Sequence, residues 1–190
     1  MYITISFKAC LLLSIFLLFS INNSQADNFA SAIKSVYIDT KDNNNSLVAN
    51  IDYPLSDKAK EALQNGVPLF WNIYIKIHRP RNILWQKTLL ETTVHYRLQY
   101  HALLNIYRVI NENSRAINNF STLSAALDLM SNFRDAHLLN QIDFEKEKQL
   151  VIEFKVEFDR NALPIPLRPI AFLNQQWYLS SDWTTWLWKK

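Results

Sequence analysis

The side chains best suited to do chemistry lie on one run: Glu91, His95 and His101. Residues 89–99 alternate between apolar and polar with a period of two. As a strand, the run therefore places these three on one face. Carboxylate and imidazole together are zinc ligands. The spacing argues against a shared ion. At about 3.3 Å per residue, His95 and His101 stand roughly 20 Å apart, and Glu91 and His95 about 13 Å. Ligand atoms sit within about 2.3 Å of a zinc ion, so a site would have to recruit His78 or His137 from elsewhere. No metal and no other cofactor is expected, and a solvated polar face is the plainer reading.

Carboxylates and nucleophiles point no further. Glu153 and Glu157 flank Lys155 on one row of an alternating run, with Asp143, Glu145 and Glu147 before it. Alternating charge on a strand usually solvates an exposed face, and nothing pairs two of these acids with an apolar pocket, as acid–base catalysis needs. The single glycine, Gly66, excludes a dinucleotide fingerprint, a phosphate-binding loop, a nucleophile elbow and an EF-hand loop, each of which needs glycine at set positions. A catalytic role is not expected.

Binding is better supported. The cluster 78–81 (HRPR) presents Arg79 and Arg81, which could grip an anion or an acidic partner, although a solvated turn at a strand end is the plainer reading. Arg168 is a third exposed cation. The tail places Trp183, Trp186 and Trp188 beside Lys189 and Lys190, a pattern used at membrane interfaces and at partner surfaces. Because tryptophan is usually well buried in folded domains, rings serving as core and strand residues are the favoured reading of that tail. These six residues, Arg79, Arg81, Arg168, Trp183, Trp186 and Trp188, are the candidate partner-binding set.

The 190 residues are 49% hydrophobic and 13% aromatic, enough for one sizeable core. A net charge of +3 leaves no electrostatic footprint for nucleic acid. With glycine so scarce, turns fall to asparagine, which tolerates left-handed backbone; 42–45 and 111–114 fit that role.

Residues 1–26 read as a secretory signal peptide, with residues 27–190 as a single domain. Lys8 precedes an apolar run of 13 residues, 9–21, and Ser24 and Ala26 stand at −3 and −1 of a cleavage site. Thirteen residues are short for a bilayer span, which takes about 20. Cleavage would make the protein periplasmic; an uncleaved segment would anchor it to the inner membrane. Cys10 lies within the signal, so the exported chain has no cysteine and rests on core burial alone.

These residues must be positioned by strands. The stretch 69–78 alternates strictly, with Leu69, Trp71, Ile73, Ile75 and Ile77 on one side and Phe70, Asn72, Tyr74, Lys76 and His78 on the other. Residues 33–40 and 47–53 form a hairpin, and 150–159 alternates with Leu150, Ile152, Phe154, Val156 and Phe158 inward. A strand is expected over 103–110, pairing with 116–119, and one or two more within 177–188. Ser56 caps a helix over 57–65 closed by Gly66, and Ser121 caps one over 122–132. Residues 133–147 read as irregular, and the three prolines of 163–169 as an extended edge or loop. The whole is mainly β (α+β): an antiparallel β-sandwich with two short helical insertions.

Several runs resemble a family of exported Gram-negative bacterial proteins known as domain of unknown function 4390: 65–69 (NGVPL), 79–81 (RPR), 96–103 (YRLQYHAL), 120–127 (FSTLSAAL), 163–172 (LPIPLRPIAF) and 177–186 (WYLSSDWTTW). The resemblance implies an envelope-located domain with no catalytic residues to carry over. Genes of such proteins often neighbour a sensor kinase, which hints at an envelope protein partner in signalling. Peripheral membrane attachment through the tryptophan tail, or an exported small-ligand-binding protein or enzyme with a pocket near the proline-rich segment, are the other readings.

Overall fold

Alternation from Leu69 to Ile77 makes β3 (Leu69–Arg79) a central strand of a six-stranded antiparallel sheet. β4 (Lys87–His101) pairs on one side of it and β8 (Gln149–Phe158) on the other. The structure is a computed structural model that describes residues 29–40, 45–80 and 87–190. The signal read over 1–26, with Cys10, lies outside the described residues, as do Arg81 and all of the 42–45 turn except Asn45.

The row Leu69, Trp71, Ile73, Ile75 and Ile77 is buried throughout. Each such side chain contributes roughly 1.5–3 kcal/mol as an upper estimate. Val94 stands opposite Ile73 on β4, and Phe154 opposite Ile75 on β8. The sheet is completed by β5 (Ile106–Asn111), β6 (Ala116–Phe120) and β9 (Thr184–Lys189), in the order β6-β5-β4-β3-β8-β9.

A three-stranded sheet, β1 (Ala32–Asp39), β2 (Ser46–Asp52) and β7 (Asn132–Asp135), closes over the inward rows. Leu47, Ala49, Ile51 and Phe133 join one apolar cluster with the larger sheet, and Phe133 meets Phe154 edge-on at 5.8 Å. The fold is the expected α+β sandwich of antiparallel sheets.

The helices seal its open sides. Ser56 caps α1 (Asp57–Gln64), its Oγ accepting from the Ala59 amide at 3.1 Å, an arrangement worth about 1 kcal/mol. Ala59, Ala62 and Leu63 face inward, and Gly66 ends the turn at φ 82°. α2 (Leu123–Ser131) buries Ala126 and Met130; its cap is Thr122 rather than Ser121, with Thr122 Oγ1 accepting from Ala125 N.

Three expectations are corrected. Leu103 and Leu104 belong to a turn, not a strand, and β5 starts only at Ile106, because Asn105 at φ 49° reverses the chain. Within 133–147, β7 pairs with β2 before two 3₁₀ turns; four residues are too few to show a period in sequence. The proline-rich segment forms a 3₁₀ turn, Ile165–Leu167, and a third helix, α3 (Arg168–Leu173). Pro169 lies in the first turn of α3, where its missing N–H has no intrahelical acceptor to lose.

Candidate functional site

The tertiary structure scatters the candidate cations. Arg79 ends β3, and its guanidinium clamps the buried Glu147 carboxylate, Nε standing 2.9 and 2.7 Å from its two oxygens while NH2 reaches Oε1. Hydrogen bonding to Glu147 raises the Arg79 pKa above its ordinary value. Arg168 opens α3 and donates from Nε to the Leu163 carbonyl at 2.7 Å, bracing its own loop. The two lie toward opposite ends of the sheet: β3 makes ten residue steps from Leu69 to Arg79, about 33 Å. Arg81 lies outside the described residues.

Arg79 therefore reads as a brace. Arg79→Met is expected to lower the urea midpoint, and Arg79→Lys to recover only part of the loss, because lysine keeps the charge but not the two-pronged fork. Unchanged midpoints in both variants would return Arg79 to the surface available for a partner.

The period of two divides the tryptophans. Trp186 and Trp188 take the inward row of β9, opposite Ile152 and Leu150, and are half-buried; Trp188 packs edge-on against Phe144 at 5.5 Å. Trp183 precedes the strand and lies on the uncovered face, where it is exposed. Its ring is 6.3 Å from Tyr74, with Lys76 Nζ 5.4 Å above it. Lys76 also pairs with Glu91 at 2.9 Å, and that hydrogen bond raises the pKa of its ammonium.

The histidines do not converge. His95 Nδ1 is 2.7 Å from Asn72 Oδ1, and buried His78 has Nε2 3.7 Å from Glu153, beyond hydrogen-bond reach. Among the described residues, no group of three or more His, Cys, Asp or Glu is placed to hold a metal ion. Nor is any helix long and apolar enough to cross a membrane.

What the fold does assemble is an apolar groove of about 520 Å³ between α1 and α3. Ala62, Val67, Leu167, Ile170 and Trp177 line it. Much of its polar rim is engaged with itself. Lys58 Nζ pairs with Glu61 at 2.9 Å, the Lys58 amide donates to Gln176 Oε1 at 3.3 Å, and Asn174 Oδ1 accepts from Gln176 N at 2.9 Å. The groove thus offers apolar contact and few open hydrogen-bonding groups, which suits an apolar side chain better than a polar metabolite.

Only Arg168, at the start of α3, belongs to the expected set and lies near this groove. A signal for the rest was present. Pro169 just inside a helix start, followed by Ile170, Ala171, Phe172 and Leu173, is a helix-opening pattern, masked by the density of prolines before it. Across the groove that helix faces α1, about a hundred residues earlier, and no local pattern sets the two opposite each other.

Neither a curated protein nor a solved structure matches the chain. The family model described as a domain of unknown function (DUF4390) matches residues 30–187, through all six runs quoted above, and the chain belongs to that family.

Proposed function

We propose that the protein is a non-catalytic interaction module of the cell envelope, exported by its N-terminal segment, whose α1–α3 groove receives apolar side chains of a partner protein. The groove carries this reading: it is apolar inside, and Lys58, Glu61 and Asn174 on its rim are bonded within the rim. Ile170, more than half exposed, adds apolar surface at its mouth. The apolar run 9–21 supports export to the periplasm. A partner reached there would be an envelope protein, with the domain serving as an accessory to an inner-membrane signalling protein.

Crosslinking in intact cells tests this. A photoreactive residue at Asn174, on the rim, is expected to give one discrete adduct that Ile170→Asp abolishes, while one at Thr185 on the uncovered face gives none. Ile170 is exposed enough for the substitution to shift stability by no more than about 0.5 kcal/mol. Equal adducts from both positions, or an adduct indifferent to Ile170→Asp, would overturn the reading. The groove volume also falls within the range of small-molecule sites, roughly 300–1,000 Å³. An apolar small ligand would instead raise the melting temperature of the purified protein and lose that effect in Ile170→Asp.

A further inference from the structure

The sandwich has two poles, and its aliphatic exposure is concentrated at one. There β3 begins while β4 and β8 end: Leu69 stands opposite Leu98, and the Asp159 amide donates to the Phe70 carbonyl at 2.9 Å. β4 runs on from Leu98 to His101, about 10 Å further, and turns back through Leu103 and Leu104. From Asp159 the chain makes an excursion through α3 and returns beside its starting point, where Phe158 N donates to Ser180 Oγ at 2.9 Å. The four most exposed large apolar residues among those described all lie on these two excursions. Leu103 is fully exposed, and Leu173, Ile165 and Leu104 follow at 86, 75 and 64%. Singly exposed leucines need no explanation, but a cluster marks an interaction surface.

The leucine hairpin is held out rather than left loose. The Tyr100 and Tyr107 rings pack at 4.8 Å across its base, and Tyr100 Oη donates to Asn105 Oδ1 at 2.8 Å. The second excursion itself carries two guanidinium groups. Arg160 lies 4.6 and 4.9 Å from the Phe172 and Tyr178 ring centres, and Arg168 is tied to Leu163 O; among the described residues neither forms an ion pair with a carboxylate. Aliphatic tips in front of aromatic rings and arginines are the composition of a membrane-interface contact.

The N-terminal chain also arrives at this pole. Ser31 Oγ donates to Leu179 O at 2.7 Å, and Ala32 stands opposite Asp52, the last residue of β2 before the turn into α1. The apolar run ending at Ile21 is eight residue steps from Phe29, so a retained run in the bilayer would keep this pole within about 28 Å of it. We infer that this pole rests on an anionic lipid bilayer, with Leu103, Leu104, Ile165 and Leu173 in the acyl boundary and Arg160 and Arg168 at the headgroup phosphates. A bilayer fits better than a second protein, because the aliphatic tips project from two separate segments and a deformable apolar phase can take both.

The test uses the full chain in vesicles of phosphatidylglycerol and phosphatidylcholine whose acyl chains carry a quencher. Cys10→Ser removes the only native thiol, and a fluorophore is attached to Leu103→Cys, Leu173→Cys or Thr185→Cys, all at exposed positions. Quenching at 103 and 173 is expected to exceed that at 185 at least about threefold, and quenching at 173 to fall when phosphatidylglycerol is omitted. Equal quenching at all three positions, or none at 103 and 173, would overturn the orientation; quenching at 173 that ignores lipid charge would overturn the arginine contacts. This proposal stands apart from the groove reading. A groove-dependent adduct at Asn174 without quenching at 103 would retain the partner and remove the bilayer, and the opposite result would do the reverse.

Discussion

Trp71→Ala is expected to cost about 3–5 kcal/mol, the range for truncating a buried tryptophan, out of a total of roughly 5–15 kcal/mol for a domain. Trp71 is buried at the third position of β3 and anchors an aromatic cluster that reaches three parts of the fold. Its ring meets Tyr53 at 5.7 Å and Phe158 at 5.2 Å, both edge-on, and Phe158 in turn stacks on Trp177 at 6.0 Å. The cluster ties the central strand to the chain between β2 and α1, to β8, and to the segment returning from α3. Deleting one ring removes burial and leaves a void that neighbours in a strand cannot collapse to fill. Trp71→Phe should recover more than half of the loss, since Nε1 has no hydrogen-bond partner among the described residues and its removal carries little penalty. Urea unfolding would show this as a lower midpoint at unchanged slope. A loss below about 1 kcal/mol, the size of an ordinary surface change, would mean that the aromatic cluster does not hold the sheet in place.

The second large effect is alkaline. Burial pushes the Tyr53 phenol far above its ordinary value, and Tyr96 is also raised, chiefly by burial. In the unfolded chain these phenols release their protons near pH 10. Above that pH the folded state holds more protons than the unfolded one, so stability falls as pH rises. Their contribution is fully present below pH 10 and is lost as pH rises beyond it, at about 1.4 kcal/mol per pH unit for the deeply buried Tyr53. Tyr53 alone then accounts for about 2–3 kcal/mol between pH 10 and pH 12. Its hydroxyl has no hydrogen-bond partner among the described residues, so Tyr53→Phe should be neutral or stabilising at pH 7 and should flatten the alkaline decline. Urea midpoints at pH 7, 10 and 11.5 decide it. A variant with the wild-type slope, or one destabilised at pH 7 by more than about 1 kcal/mol, would place the titrating group elsewhere.

Much of the scaffold was legible because period-two burial is local. Ile73, Val94 and Phe154 declare their face by their neighbours two residues away, and the Ser56 side chain and the left-handed backbone of Gly66 mark the two ends of a helix. Elsewhere local chemistry points two ways. Leu103 and Leu104 continue the apolar character of their flanks, yet Asn105 turns the chain. The prolines of 163–169 spoke for extension, yet Pro169 sits where a helix tolerates it. For the site the balance is reversed. Arg79 looked like a free cation beside a proline until Glu147, 68 residues away, was brought against it. The tryptophan tail read chiefly as core and strand residues, and strand alternation divides it, sending Trp186 and Trp188 inward and leaving Trp183 outside.

The amino-acid order by itself determined that oily rows on successive strands must close on one another, with asparagine, proline and one glycine turning the chain. That follows because alternation and backbone permission are properties of a few adjacent residues. Only the tertiary structure decided which surfaces remain: that α1 and α3 enclose a groove, and that the leucine turn, the α3 excursion and the arriving N-terminal chain share one pole. Those juxtapositions depend on which strands pair and in what register, and pairing over a hundred residues leaves no trace in local spacing.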